Sequence, residues 1–244
     1  MMDELLKKAI SPEKGILLID KPYGWTSFQA VKKVRYLLQK KFNIKKLKVG
    51  HAGTLDPLAT GLLIICYGKE TKNIEQYQSL EKEYTGSFFL GATTPCFDRE
   101  KEIDNTFDIS HITEKQIREV AKTFLGKQMQ VAPLFSAKKI DGKKAYEIAR
   151  AGEEKEIKAN EIEITQFEIT KIELPLIYFK IVCSKGTYIR SIARDLGEKL
   201  NSGAFLYDLK RERIGSYIPE ITLETSEKDA SIKPSVTKNT VIIK

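Results

Sequence analysis

The 244-residue sequence predicts an α+β fold built on a mixed, mainly antiparallel sheet flanked by helices. Three observations carry that expectation. Strand-like and helix-like segments follow one another without the regular alternation of a doubly wound parallel sheet. KEYTGSFFL (82–90) alternates as a sheet strand does. The 41% apolar content is enough for a real core at this length.

Taken in order, GILLID (15–20) reads as a short buried strand, and Thr26-Ser27 as the cap of a helix with an apolar stripe at Val31, Val34, Leu37 and Leu38. Residues 62–67 read as a second buried strand and 82–90 as a third. TEKQIREVAKTF (113–124) combines a threonine cap with helical spacing at Ile117, Val120, Ala121 and Phe124. Polar, Pro and Gly residues make 126–142 a long mobile loop, followed by a helix at 144–150. Strands are expected at 161–172 and 177–184, and a helix at 189–200. There are no internal repeats. Residues 220–244 read as a short polar tail, leaving 1–219 as one domain.

Composition excludes several classes. No apolar run approaches a bilayer span and the amino terminus carries acids, so neither membrane anchor nor secretory signal is expected. Cys66, Cys96 and Cys183 are widely spaced and form no CxxC or Cys/His cluster, which argues against a disulfide framework or zinc site and for a cytoplasmic protein. The net charge of +8 is uneven, because residues 1–75 hold 14 basic and 7 acidic side chains. Lys32, Lys33, Arg35, Lys40, Lys41, Lys45, Lys46 and Lys48 lead into KVGHAGTLDPLATG (48–61). Such a cluster suits phosphate contacts or simply a solvated helix face.

The glycine-rich stretch 48–61 is neither GxGxxG nor a Walker loop, and two histidines without a nucleophile elbow do not support a triad. Asp56 is what remains. Pro57 pushes it into an extended conformation, from which its carboxylate is either presented outward or tied up as a turn aspartate. His51 has the same two readings, packing or function. Farther on, CSKGTYIRSIARDLG (183–197) turns from strand to helix and puts Tyr188 and Arg190 at the corner. Arg190 there can pair with an isolated carboxylate or form a surface ion pair, and Tyr188 can line a cleft or fill a core.

Five ordered blocks, LLIDKPYGWTS, HAGTLDPLATGLL, KEYTGSFFLG, QVAPLFSAKKIDGKKAYEIARAGE and CSKGTYIRSIARDLG, resemble the bacterial TruB-type tRNA pseudouridine synthases over residues 15–215 or so. The resemblance implies a pseudouridine synthase fold and isomerisation of a T-loop uridine, position 55 by tRNA convention, by base flipping and without cofactor or metal. It places Asp56 as the nucleophile, Tyr84 as the tyrosine stacking on the base, and Arg190 as the partner of the aspartate. Tyr188 and Leu209 would line the pocket, His51 would fill the space of the flipped base, and Lys21 with Pro22 would buttress the site. A thumb loop, about 126–155, would grip RNA through Lys127, Lys138, Lys139, Lys143 and Lys144. The expected partner is the T arm of tRNA, bound by a monomer.

Three departures accompany the likeness. GATTPCFDREKEI (91–103) retains Asp98 but little of the family's acid-rich pattern, Phe135 stands where tyrosine is usual, and residues after 219 are too few for a PUA-type RNA-binding domain. A non-catalytic RNA-binding or tRNA-folding protein on the same scaffold, and a synthase acting on ribosomal or messenger RNA, are the rival readings.

Overall fold

The computed structural model describes residues 7–135, 157–223 and 234–236, together with the backbone of 139–140 and 143–144. Its elements are β1 (Lys14–Lys21), α1 (Ser27–Phe42), β2 (Val49–His51), β3 (Ala59–Gly68), a 3-10 turn (Lys69–Asn73), α2 (Ile74–Ser79), β4 (Lys82–Leu90), β5 (Ala92–Thr93) and β6 (Asn105–Thr106). There follow α3 (Glu114–Lys122), β7 (Gly126–Gln130), β8 (Lys139–Ile140), β9 (Lys143–Lys144), β10 (Asn160–Glu173), β11 (Leu176–Cys183), α4 (Ile189–Lys199), β12 (Ala204–Ile214) and β13 (Ile221–Thr222). Two compact units divide the chain, one of residues 1–85 with 209–233, the other of 86–208 with 234–244. Strands β4 and β12 each contribute residues to both. No described helix is long and apolar enough to cross a membrane.

In the first unit the strand order is β13-β1-β3-β12-β4, with β2 pairing β3. β1 and β2 run antiparallel to β3, whereas β1–β13 and β3–β12 are parallel pairs. The continuous apolar run of β3 is explained by burial on both faces. Leu63, Ile65 and Tyr67 join Leu17 and Ile19 of β1 against Ala30, Val31, Val34, Leu37 and Leu38 of α1. Leu62, Ile64 and Cys66 pack on the other face with Leu18, Ala52 and Ile214. Helix α1 begins with a reciprocal cap, in which Thr26 accepts from the Gln29 amide while the Gln29 side chain accepts from the Thr26 amide, and it ends at Asn43 in the left-handed conformation.

In the second unit β4, β11, β10 and β7 follow one another, with β12 on the other side of β4. Adjacent residues of β4 serve opposite faces. Phe88 stacks on Phe179 with centroids 4.1 Å apart, and Phe89 stacks on Phe205 at 5.0 Å. The buried positions of β10 change parity, from Ile162 and Ile164 to Phe167 and Ile169, at a register shift between Ile164 and Gln166. A bulge there turns the next pair of side chains back onto the core face. Helix α3 carries the expected threonine cap at Thr113, and its Arg118 donates to the Ile169 carbonyl at 2.7 Å.

The expected loop at 126–142 is corrected at its start. Residues 126–130 form β7, paired antiparallel with β10 from Gly126↔Ile164 to Gln130↔Asn160. Backbone pairing with a strand thirty or more residues away stabilises an otherwise polar segment. The helix expected at 144–150 begins instead with Lys144 in β9, and its remaining residues lie outside the described ones. The stretch after 219 contributes β13 to the first unit and buries Val236 in the second.

Candidate active site

Asp56 sits in the loop between β2 and β3, and nearly every peptide around it is tied down by a side chain or amide of the first unit. Leu55, just before it, donates its N–H to the Ser27 hydroxyl and accepts that hydroxyl's proton on its carbonyl, both at 2.9 Å. Pro57, just after it, accepts the Gly24 N–H at 2.9 Å and the Lys21 ammonium at 3.4 Å. The Asp56 carbonyl itself accepts from Ala59 at 3.1 Å, closing the turn into β3. A carboxylate on so fixed a backbone is presented at little ordering cost when substrate binds.

Two buried cations organise this loop. Arg211 of β12 is 1% exposed and spends its guanidinium on carbonyls, with Nε on Leu62 at 2.7 Å, Nη1 on Thr54 at 3.3 Å and Nη2 on Gly53 at 3.1 Å. Lys21, the last residue of β1, is fully buried and donates to Trp25 at 2.7 Å and Pro22 at 3.0 Å as well as to Pro57. Burial pushes its pKa down to about 7, against an upward pull from Asp56 and a further downward push from Arg211. Lys21 is thus a buttress of the Asp56 turn.

His51 closes β2 and pairs with Ile65 of β3. Burial lowers its pKa, so the ring is neutral at pH 7, and its Nδ1 has no hydrogen-bond partner among the described residues. Leu209 stands opposite Ala59, three residues beyond Asp56, in the β12–β3 register. Tyr84 is buried in β4. The first unit therefore assembles Asp56, Lys21, His51 and Leu209 around one turn.

The second unit positions Arg190 and Tyr188. Arg190, in the first turn of α4, is 6% exposed and donates to the carbonyls of Cys96 at 3.2 Å and Phe135 at 3.0 Å. Its Nε lies 3.6 Å from Asp98, whose carboxylate also accepts from the Glu100 amide at 2.9 Å and the Cys96 thiol at 3.0 Å. Burial, reinforced by Asp98, pushes the Cys96 thiol up to about 12. The backbone of Tyr188, at the cap of α4, is clamped by the Gln130 amide, which accepts from its N–H at 2.8 Å and donates to its carbonyl at 3.2 Å. Ser191 adds a bond to the Val131 carbonyl at 2.8 Å.

Of the lysines assigned to RNA, Lys127 lies exposed on β7, while Lys139, Lys143 and Lys144 belong to the paired strands β8 and β9. Lys138 lies outside the described residues. Sequence reasoning missed Arg211, Ser27 and Gln130. Among Lys210, Glu212 and Arg213, Arg211 looks like ordinary surface charge. The one signal was Gly61, its register partner, where any Cβ would fall 2.3 Å from the Arg211 carbonyl oxygen.

In the first unit, an aspartate on a turn pinned by Ser27, Lys21 and Arg211 is suited to nucleophilic chemistry. Residues 39–189 match the model of the TruB family pseudouridylate synthase (N terminal domain). The chain is 50% identical over 223 residues to a tRNA pseudouridine synthase B of Parabacteroides distasonis, covering 91% of this chain and 95% of that protein. It is 58% identical over 206 residues to the protein of the same name from Flavobacterium johnsoniae, covering 84% and 90%. Among solved structures, one chain of a Cbf5-Nop10-Gar1 complex superposes with a TM-score of 0.64 at 25% identity, over 96% of this chain and 62% of that one. The chain belongs to the TruB family of pseudouridine synthases.

Proposed function

We propose that this protein isomerises uridine to pseudouridine in the T loop of tRNA, at position 55, with Asp56 as the nucleophile. The name carried by its relatives, tRNA pseudouridine synthase B, supports the choice of tRNA. The observation that carries the role of Asp56 is the fixation of both its neighbours, Leu55 by Ser27 and Pro57 by Gly24 and Lys21.

In this mechanism the Asp56 carboxylate attacks the sugar carbon C1′ as its bond to N1 of uracil breaks. The freed base turns, its C5 bonds to C1′ and displaces the carboxylate, C5 gives up its proton and N1 gains one. The product is an isomer of the uridine, so no activated water is consumed. By the family resemblance Arg190 aims Asp56, Tyr84 stacks on the base and assists the proton transfer, and Tyr188 and Leu209 line the pocket. His51 occupies the place of the flipped base as a neutral ring, which fits the lowering of its pKa by burial. Unstacking costs a few kcal/mol, which an aromatic stack of about 1–3 kcal/mol per base offsets in large part. The lysines of 127–144 would contact phosphates without selecting sequence.

Mapping the modified nucleotide in a transcribed tRNA or an isolated T-arm hairpin tests this reading. Wild type converts the T-loop uridine and Asp56→Asn does not. Conversion by the variant would overturn the mechanism, and modification at another position would overturn the substrate.

A further inference from the structure

Helix α1 presents a face that the catalytic reading does not use. Its inner side is packed on β1 and β3, but Phe28 is 66% and Tyr36 61% exposed, with Lys32, Lys33 and Lys40 exposed alongside them. Phe28, Lys32, Tyr36 and Lys40 are spaced i, i+4, i+8 and i+12, so they form one row on the helix surface, about 18 Å long at 1.5 Å per residue. No described ion pair engages Lys32, Lys33 or Lys40. From residue 21 to residue 55 the chain carries nine Lys or Arg and no Asp or Glu. Single exposed aromatics are common, but two rings in line with lysines on a helix free of acids match a base-stacking platform inside a phosphate-binding track.

The row also starts at the reaction centre. Ser27, the residue before Phe28, is the one whose hydroxyl bridges the backbone of Leu55, next to Asp56. The row therefore begins one residue from the bond that holds the Asp56 turn.

We propose that the outer face of α1 is a second RNA contact surface. On it Phe28 and Tyr36 stack on unpaired bases flanking the target uridine, and Lys32, Lys33 and Lys40 hold the adjoining phosphates. The proposal rests on the RNA reading above and adds where the flanking strand runs. These residues contribute to binding and not to bond exchange, because none of them belongs to the Asp56 turn.

Titration of a labelled T-arm hairpin with the full chain, by fluorescence anisotropy from low to physiological salt, tests it together with single-turnover conversion at saturating RNA. Phe28→Ala and Tyr36→Ala are each expected to weaken binding about tenfold, whereas Tyr36→Phe, which keeps the ring, binds as wild type does. Lys32→Gln with Lys33→Gln should lower the slope of log affinity on log salt by roughly one to two. Conversion at saturating RNA should fall less than affinity does in every variant. Undiminished affinity in both alanine variants, or an unchanged salt slope, overturns the surface. Absence of conversion by wild type strikes the function reading, while normal wild-type turnover with undiminished variant affinity strikes the α1 surface alone.

Discussion

The Asp98 carboxylate lies 3.6 Å from the Arg190 guanidinium, with the two side chains 6% and 7% exposed. Arg190 also donates to the carbonyls of Cys96 and Phe135. Removing one member of a buried pair takes away charge that offsets the burial of the other. Asp98→Asn keeps the shape and removes the charge. It should lower stability by about 2–3 kcal/mol, the low end for such a pair because two carbonyl bonds survive. If Arg190 aims Asp56, the single-turnover rate falls more than RNA affinity does. Thermal melts and rapid-mix conversion check both, and a variant with wild-type melting and rate would show that Asp98 has no such part.

Much of the fold is legible because the core faces follow simple periods. The bounds of β4, Lys82–Leu90, are those its alternation predicts, and the caps of α1 and α3 are written in TSFQ and TEKQ. What escapes is what depends on distant partners. GKQMQ becomes β7 only because β10 lies beside it, and β12 hides because its second half, KRERI, reads as solvated charge. Asp56 stands out through its motif, while the residues that hold its turn do not. Ser27 is part of a helix start, and Arg211 gains meaning only from its register with Gly61. His51 and Lys21 are legible as residues of the motifs, but their neutral ring and lowered pKa follow from burial, which no local pattern announces.

Lys21 gives the stability a definite pH dependence. Its pKa is about 7 in the folded protein against the usual 10.5 of a lysine, so between those values the unfolded chain binds the extra proton. Stability therefore rises with pH through that window, by an amount on the order of a few kcal/mol if complete. The lowered His51 pKa acts in the same direction just below 6.5. Above about 9 the buried thiols of Cys66 and Cys96, each pushed up to about 12, oppose it, because the unfolded thiols ionise first. Urea unfolding between pH 7 and 9 should show a rise in wild type. Lys21→Met should flatten it, and an equal rise in the variant would assign the slope to other groups.

The short segment 234–236 closes one face of the second unit. Val236 is fully buried with Phe89, Ala92, Leu176, Phe205 and Tyr207, and Ser235 gives both its N–H, at 2.8 Å, and its hydroxyl, at 3.0 Å, to the Arg99 carbonyl. Arg99 in turn lies over the Tyr207 ring at 4.1 Å and pairs with Asp208 at 2.7 Å. Val236→Asp places an unpaired carboxyl in an apolar pocket and should cost about 3 kcal/mol or more, against about 1–2 kcal/mol for Val236→Ala. Chemical denaturation that ranks the two variants otherwise would mean that the segment adds little to the fold.

Gly61 and Arg211 test whether the Asp56 turn depends on the strand behind it. Gly61 has φ +97°, and a Cβ there would meet the Arg211 backbone at 2.3 Å, so Gly61→Ala combines a strained conformation with a steric clash. A loss of roughly 3–5 kcal/mol is expected. Arg211→Lys is the gentler probe. It keeps the positive charge but cannot reach the carbonyls of Gly53, Thr54 and Leu62 with one fork, leaving buried acceptors without donors at about 1–3 kcal/mol. Because those carbonyls belong to the turn bearing Asp56 and the start of β3, the variant should lose single-turnover rate about tenfold or more while binding RNA as wild type does. A purely structural role for Arg211 would lower stability and leave the rate of the folded fraction unchanged, and single-turnover kinetics corrected for folded fraction separate the two outcomes.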